Sequence, residues 1–282
     1  MVEFSCADFS FPLLRRRQAL RLLNVLEFAW VDIGLFERNP SFLPSALMEA
    51  PAKFTRGVQE DLEANGVRAA DVFLQIGREP AESSANDPDA AVRGRNREVF
   101  MRALEFCVAL GCGHLTGLPG VAHGDEVRDF ALAAEEAAWR LERCREAGVV
   151  YGVEAHIGSI YPDTRAAQRL IGNVQGLTLT LDYGHFVCQG ETSAAVHALL
   201  PFASHIHARG GARGRLQTSV AENEIDFEGM MAGLHRLRYQ GTIALEYVWV
   251  DWQECNRTDN ISETILLRER LRAAAKVFEE MA

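Results

Sequence analysis

The sequence predicts a single α/β domain folded as a (β/α)8 barrel, the TIM barrel architecture. The chain has 282 residues, which is close to the roughly 250 residues of a typical barrel. Short apolar segments rich in β-branched and aromatic residues alternate with longer segments that carry apolar residues at helical spacing. No Ser/Gly-rich linker interrupts this alternation, so we expect one barrel domain over residues 1–282.

Eight segments have the composition of strands. They are Val2–Phe9, Glu27–Gly34, Ala69–Ile76, Cys112–Leu118, Val149–His156, Leu177–Tyr183, Ser204–Ala208 and Thr242–Trp249. Most are continuous apolar runs rather than strict alternations of apolar and polar residues, which is typical of parallel strands that are covered on both faces. The repeat of about 35 residues fits a series of βαβ units.

Helices are predicted between these strands. Val127, Phe130 and Ala134 recur at steps of three or four residues, and Gly148 follows as a stop signal. Asp226 is expected to cap the helix that precedes the last strand. Two polar stretches, Ala81–Ala91 and Thr218–Glu224, are predicted as long loops after the third and the seventh strand.

Composition excludes several classes of function. The net charge of -10 disfavours a nucleic-acid partner, and the one dense basic run, Arg15–Arg17, is expected to be a solvated helix face. Six cysteines lie far apart without a CxxC pair, which favours reduced thiols in a cytoplasmic protein. Neither a signal peptide nor a stretch of roughly 18 apolar residues is evident, so no membrane partner is expected.

Polar residues close four consecutive strands in the second half of the chain. Strand five ends in Glu154, strand six in Asp182, strand seven carries His207 and strand eight ends in Glu246. The active site of a parallel barrel lies at the carboxyl ends of its strands, and burying several unpaired carboxylates there is costly. We therefore predict one shared divalent metal ion. Carboxylates with one imidazole suit Mn²⁺ best, with Mg²⁺, Co²⁺ or Zn²⁺ as alternatives.

Each of these residues also has a simpler interpretation. A lone Glu could pair with an arginine at the rim, and Asp182 could cap the segment that follows it. A lone histidine on a strand is more often a satisfied core residue than a ligand. We expect one of His205 and His207 to point into the barrel and the other toward the helices. All four simple explanations would have to hold at once, which favours the metal site.

Further residues near the strand ends are candidates for substrate binding. They are His156, His185, Arg213, His114, which we place at the end of strand four, and Trp249. The histidines could bind substrate hydroxyls and Arg213 could clamp a substrate oxygen, while solvation at the rim is the alternative. Trp249, Trp252, Phe9 and Phe11 could form walls of the pocket or simply pack in the core.

These motifs resemble the xylose isomerase-like TIM barrels, the sugar phosphate isomerase/epimerase group, over essentially the whole chain. The resemblance rests on Val153–His156, Leu181–His185, His205–His207 and Leu245–Glu246. It implies a Mn²⁺-type ion held by Glu154, Asp182, His207 and Glu246, with His185 and Arg213 on the substrate. The ketose 3-epimerases of the group carry a second Glu six residues after the strand-five ligand. Ile160 stands there in this chain, so the resemblance is to the superfamily rather than to one substrate.

The leading functional hypothesis is therefore a metal-dependent isomerase or epimerase of a small polyhydroxylated substrate. The resemblance implies that Glu154 and Glu246 face each other across a carbon next to a carbonyl, where one removes a proton and the other returns one through an enediolate. The runner-up is a dehydratase or lyase that uses the same site, with His156 or His185 protonating the leaving group.

Two other classes are more remote. Endonuclease IV resembles the chain at Glu154, Asp182, His185, His207 and Glu246, but the predicted third strand has no histidine and no Asp-x-His follows strand seven. A non-catalytic barrel that binds a ligand or a partner subunit would not need the intact ligand set. The substrate, its phosphorylation and the oligomeric state stay open. A homodimer that pairs through the Ala81–Ala91 loop is one possibility.

Overall fold

The fold is a closed barrel of eight parallel strands, as the sequence predicts. The computed structural model describes residues 2–39 and 41–280, so residues 1, 40, 281 and 282 of the predicted domain lie outside the described residues. Each strand pairs with the next along the chain and the last pairs with the first. The strands are β1 (Glu3–Ala7), β2 (Trp30–Phe36), β3 (Arg68–Gln75), β4 (His114–Gly117), β5 (Val150–Val153), β6 (Thr178–Asp182), β7 (Ala203–Ala208) and β8 (Thr242–Leu245).

Helices surround the barrel and connect consecutive strands. They are α1 (Arg16–Val25), α2 (Pro44–Glu49), α3 (Pro51–Asn65), α4 (Ala90–Ala109), α5 (Glu126–Glu146), α6 (Thr164–Asn173), α7 (Tyr183–Cys188), α8 (Ser193–His197), α9 (Phe227–Arg236) and α10 (Asn260–Glu280). The predicted cap of α9 is confirmed, because the Asp226 carboxylate accepts a hydrogen bond from the backbone N–H of Gly229. Within the described residues, no helix combines the length and the hydropathy that a membrane span requires.

The strands differ from their predicted bounds mainly at their ends. β5 and β8 stop one residue before Glu154 and Glu246, although the backbone N–H of each still bonds to the neighbouring strand. His114 is the first residue of β4 rather than the last. The expectation that His114 lies at the mouth is therefore wrong. His114 is the third residue of the predicted segment Cys112–Leu118, and because strand pairing starts at His114 itself, it lies at the amino end of β4, away from the mouth.

The outer and inner faces of the strands have different chemistry. Outward residues such as Val31, Ile33 and Ile206 belong to the apolar core between the barrel and the helices. The inward face instead carries buried polar side chains: Asp32, Asp71, His114, Thr116, Thr180, His205 and His207. Branched apolar residues usually fill this space in barrels, so the polar interior needs an explanation from function or from paired charges.

We expect Gly152→Ala to destabilise the fold by about 1–3 kcal/mol, because extra atoms in a packed interior force neighbours to move. A Cβ atom at Gly152 would lie 2.5 Å from Oγ1 of Thr180 and 2.8 Å from Cε1 of His114. Both neighbours are buried and hydrogen-bonded inside the barrel. Urea denaturation of the variant measures the change in the free energy of unfolding.

Gly94→Ala is the matched control. Gly94 lies within α4, and a Cβ atom there would meet nothing within 4 Å. Alanine in a helix interior should raise the stability by about 0.5–1 kcal/mol. Equal effects of the two substitutions would contradict the packing of the barrel interior as described.

Candidate active site

Strand β7 and the residue that follows it supply three inward side chains to the barrel interior. His205, His207 and Arg209 follow one another at intervals of two residues, and side chains two residues apart on a strand share a face. All three are at least 98% buried. The expectation that only one of His205 and His207 points inward is therefore wrong.

His207 lies at the centre of the predicted ligand set. Its Nδ1 is 2.6 Å from Oε1 of Glu154 and 2.9 Å from Oε2 of Glu246. Oε2 of Glu246 is buried and has no hydrogen-bond partner. Three donor atoms from β7 and from the ends of β5 and β8 thus meet at one point below the mouth of the barrel.

Asp182 joins the same site through Glu154. Potential ligand atoms of Glu154, His207 and Glu246 lie within 4.8 Å of one another, and so do those of Glu154, Asp182 and His185. The structure therefore brings the four predicted ligands into two groups that share Glu154. Asp182 also accepts a hydrogen bond of 2.7 Å from the backbone N–H of Gly184, so it caps α7 as well.

Arg209 is the buried cation of this site. Its Nε donates a 3.0 Å hydrogen bond to Oδ2 of Asp182, and its terminal nitrogen lies 3.5 Å from Oε1 of Glu246. Burial of a guanidinium is tolerated where carboxylates pair with it. The same residue is 3.4 Å from Nε2 of His185.

The buried charges shift the pKa values of these groups in opposite directions. Burial raises the pKa of the Glu154 carboxyl above its ordinary value. Burial also opposes ionisation of Glu246, but the positive charges of Arg209 and His207 outweigh it and lower the pKa of Glu246. For His207, the carboxylates of Glu246 and Glu154 overcome the effect of burial and raise the pKa of the imidazole. Strong shifts of this kind are typical of functional sites.

His185 and His156 border the cluster on the side of the mouth. Their ring centroids are 6.1 Å apart, and Trp252 lies 6.1 Å from His185 on its other side. Burial and the nearby Arg209 lower the pKa of His185, and burial lowers that of His156 to about 4. Both imidazoles are thus neutral near pH 7. Nε2 of His156 is buried and has no hydrogen-bond partner.

Phenylalanine rings line the opposite side. Phe9, Phe36 and Phe73 contact one another edge to face at 4.9–6.1 Å, and Phe73 lies 5.5 Å from the ring of His207. The expectation that Phe9 helps to form a wall near the strand ends fits this placement, whereas Phe11 belongs to the apolar core. The cluster therefore has aromatic as well as polar neighbours.

Three of the residues predicted to bind substrate lie apart from the cluster. Arg213 is exposed on the turn that follows Ala212, and its backbone N–H bonds to Glu224. Trp249 is exposed as well, and the tryptophan beside His185 is Trp252. His114 is bound inside the barrel, with Nδ1 2.6 Å from Oδ1 of Asp71 and Nε2 2.8 Å from Oγ of Ser204. Roles of Arg213 and Trp249 on a substrate stay predictions.

The sequence contained signals for two residues whose contacts were not predicted. Arg209 follows His205 and His207 at the same interval of two, so the alternation of β7 could have placed it inside the barrel. Asp32 interrupts the apolar run of β2, and a carboxylate there needs a buried partner. That partner is His205, whose Nε2 is 2.5 Å from Oδ2 of Asp32.

Comparison with known proteins identifies the family of the fold. A profile described as xylose isomerase-like TIM barrel matches residues 25–273, which is most of the chain. The chain belongs to the xylose isomerase-like TIM barrel family. No protein of curated function matches it in sequence.

Solved structures of this family's fold superpose over nearly the whole chain. An L-ribulose 3-epimerase is 14% identical, with a TM-score of 0.76 over 100% of this chain and 97% of that one. A 3-keto-D-glucoside 4-epimerase from E. coli is 14% identical, with a TM-score of 0.71 over 97% of this chain and 100% of that one. An AP endonuclease of family 2 from Brucella melitensis is 17% identical, with a TM-score of 0.66 over 88% and 93%. At these identities the likeness shows the shared fold.

Proposed function

We propose that this xylose isomerase-like barrel is a metal-dependent isomerase or epimerase of a sugar or a related keto-polyol. One observation carries the proposal. Nδ1 of His207 lies 2.6 Å from Oε1 of Glu154 and 2.9 Å from Oε2 of Glu246, and all three side chains are buried below the barrel mouth. The fold shared with sugar epimerases supports the substrate class.

The residues present fit one divalent ion. Three buried carboxylates, Glu154, Asp182 and Glu246, share one guanidinium and the imidazole of His207. With all three carboxylates ionised, the set lacks one positive charge even when His207 is protonated, and Oε2 of Glu246 makes no contact with the geometry of a hydrogen bond. Hard oxygen ligands with one imidazole favour Mn²⁺, with Mg²⁺, Co²⁺ or Zn²⁺ as alternatives. When bound, such an ion would polarise a carbonyl oxygen and stabilise negative charge on it.

Glu154 and Glu246 are the proposed acid–base pair. Both lie within 3 Å of Nδ1 of His207, and they come from the ends of two different strands, β5 and β8. One carboxylate takes the proton from the substrate carbon next to the carbonyl, and the other returns a proton to that carbon or its neighbour. His185 lies within 4.8 Å of Glu154 and would hold a substrate hydroxyl, and Trp252 beside it would help to exclude water.

A dehydratase or lyase reaction is the second candidate. The observation in its favour is the buried, unpartnered Nε2 of His156, which is 95% buried at the border of the cluster. A neutral imidazole in that place would take up the proton removed from the substrate carbon and deliver a proton to the leaving hydroxyl, which departs as water. The nuclease alternative is not favoured, since β3 carries Asp71 rather than a histidine and the net charge is -10.

Elemental analysis tests the metal site directly. After removal of metals with a chelator and reloading with Mn²⁺, we expect one ion per chain, and less than half of that amount in an Asp182→Asn and Glu246→Gln double variant, because the site loses two charged ligands. Binding should also raise the melting temperature of the wild-type protein. Absence of stoichiometric metal in the wild-type protein would refute the proposal.

The reaction class is tested in deuterated water with a panel of ketoses and keto-inositols. We expect deuterium to enter the carbon next to the carbonyl while the elemental formula of the sugar stays unchanged. Loss of water or of an aglycone from the substrate would select the lyase reaction instead. No exchange with any member of the panel, in protein with stoichiometric metal, would contradict both reactions for this substrate class.

A further inference from the structure

A buried carboxylate lies behind the candidate metal centre, on the far side of the His207 ring. Asp32, on β2, is fully buried. Its Oδ2 is 2.5 Å from Nε2 of His205 and 3.6 Å from Nε2 of His207. Glu154 and Glu246 face Nδ1 of the same His207 ring. The two nitrogens of His207 therefore point to different carboxylate groups.

The ring nitrogen that faces Asp32 lacks a hydrogen-bond partner. Nε2 of His207 and Oδ1 of Asp32 are both buried without one. A neutral imidazole that offers Nδ1 to an ion carries its proton on Nε2. Metal-binding histidines usually donate that second N–H to a carboxylate or a carbonyl, which fixes the tautomer and the orientation of the ring. Among the described residues, Asp32 is the carboxylate that the structure places within 4 Å of this nitrogen.

We propose that Asp32 is a positioning residue for His207: it accepts the Nε2–H and thereby presents Nδ1 to the divalent ion. The inference rests on the proposed metal site and adds a residue that does not itself touch the ion. A decrease of a few tenths of an ångström in the 3.6 Å separation would bring the pair within hydrogen-bond range. His205 binds the same oxygen of Asp32 and holds the carboxylate in place.

A neighbouring carboxylate provides a matched control. Asp71, on β3, is also fully buried, binds His114 at 2.6 Å and has one oxygen without a partner. It belongs to the same group of potential ligands as Asp32, His205 and His207. Its ion pair is with His114, however, and the structure gives it none with His207. Replacing Asp71 thus removes a comparable buried charge without removing the acceptor for Nε2 of His207.

The test compares the Mn²⁺ affinity of Asp32→Ala, Asp32→Asn, Asp71→Ala and the wild-type protein by calorimetry. We expect Asp32→Ala to raise the dissociation constant by about 10–100-fold, the usual effect of losing the partner of a ligating histidine. Asp32→Asn should recover part of the loss, because its amide oxygen can still accept the N–H. Asp71→Ala should change the constant by less than about threefold. Equal losses for Asp32→Ala and Asp71→Ala would overturn the inference.

A second measurement needs no variant at all. In wild-type protein loaded with Zn²⁺ and labelled at histidine nitrogens, long-range NMR spectra report which nitrogen of His207 carries the proton. We expect protonated Nε2 and metal-shifted Nδ1; a proton on Nδ1 would overturn the inference even if Asp32→Ala does not fold. Failure of the wild-type protein to bind Mn²⁺ or Zn²⁺ would refute the metal site itself. This outcome differs from a failure of the Asp32 inference, in which the wild-type protein still binds metal.

Discussion

We expect Glu246→Gln and Glu154→Gln each to lower turnover by about 10²–10⁴-fold, the usual contribution of a positioned general acid or base. Glutamine is close to glutamate in shape but cannot take or return a proton in this role. Both carboxylates are buried within 3 Å of Nδ1 of His207. A variant that loses one of them therefore has no second carboxylate at the same position. The rates should be measured at saturating Mn²⁺, with the metal content of each variant verified.

Isotope exchange makes this prediction sharper. If the two carboxylates act on opposite faces of one substrate carbon, each variant loses deuterium exchange from one face only. Glu154→Gln should then retain exchange into one epimer, and Glu246→Gln into the other. Glu222→Gln makes the same chemical change in an exposed residue that pairs with Arg215, and should keep wild-type rates. Full turnover by either site variant with bound metal would contradict the two-carboxylate mechanism.

The fold could be predicted because its signal is repeated eight times. Each strand is a short apolar run, so an error of two residues at one end leaves the count and the parallel order unchanged. Register along a strand has no such redundancy. His114 was placed at the carboxyl end of β4, but pairing with β5 begins at His114 itself, so it is the first residue of the strand.

The ligand set could be predicted because parallel strands end at one edge of a barrel. Glu154, Asp182, His207 and Glu246 each close a strand, and the closed order of β5 to β8 brings them together. Those four residues remain a proposal as ligands, but their proximity follows from topology. Arg213 depends on the shape of a turn rather than on strand geometry, and the spacing alone did not show that it is exposed.

The polar interior of the barrel could not be predicted from composition. Asp32 and Asp71 each sit in an apolar run, where a single carboxylate indicates a partner but does not identify it. The partners are His205 on β7, 173 residues further along the chain than Asp32, and His114 on β4, the strand next to that of Asp71. Pairing inside the barrel depends on the height of each residue along its strand. This register is difficult to predict from the sequence.

Arg209→Met should have the largest effect on stability. It removes the guanidinium that pairs with Asp182 and Glu246, and breaking a buried ion pair by removing one partner costs about 3–5 kcal/mol. Methionine preserves much of the apolar stem, so the loss reflects the uncompensated carboxylates. Urea denaturation in the presence of a chelator measures the free energy of unfolding.

Two controls separate charge from packing. The exposed Arg213→Met should change stability by less than about 0.5 kcal/mol. In an Arg209→Met and Asp182→Asn double variant, one buried charge is removed together with its partner, so the combined loss should be smaller than the sum of the single losses. Additive losses would show that the charges of Arg209 and Asp182 do not stabilise each other.

Metal should partly rescue Arg209→Met if the proposed site is correct. The substitution releases Asp182 and Glu246 from the guanidinium, which leaves both carboxylates to the ion. A cation that binds the folded variant more tightly than the folded wild-type protein stabilises the variant more, so the stability deficit should shrink in saturating Mn²⁺. A deficit that is equal with and without Mn²⁺ would mean that Arg209 and the ion do not compete for the same carboxylates, and the charge balance proposed for this site would fail.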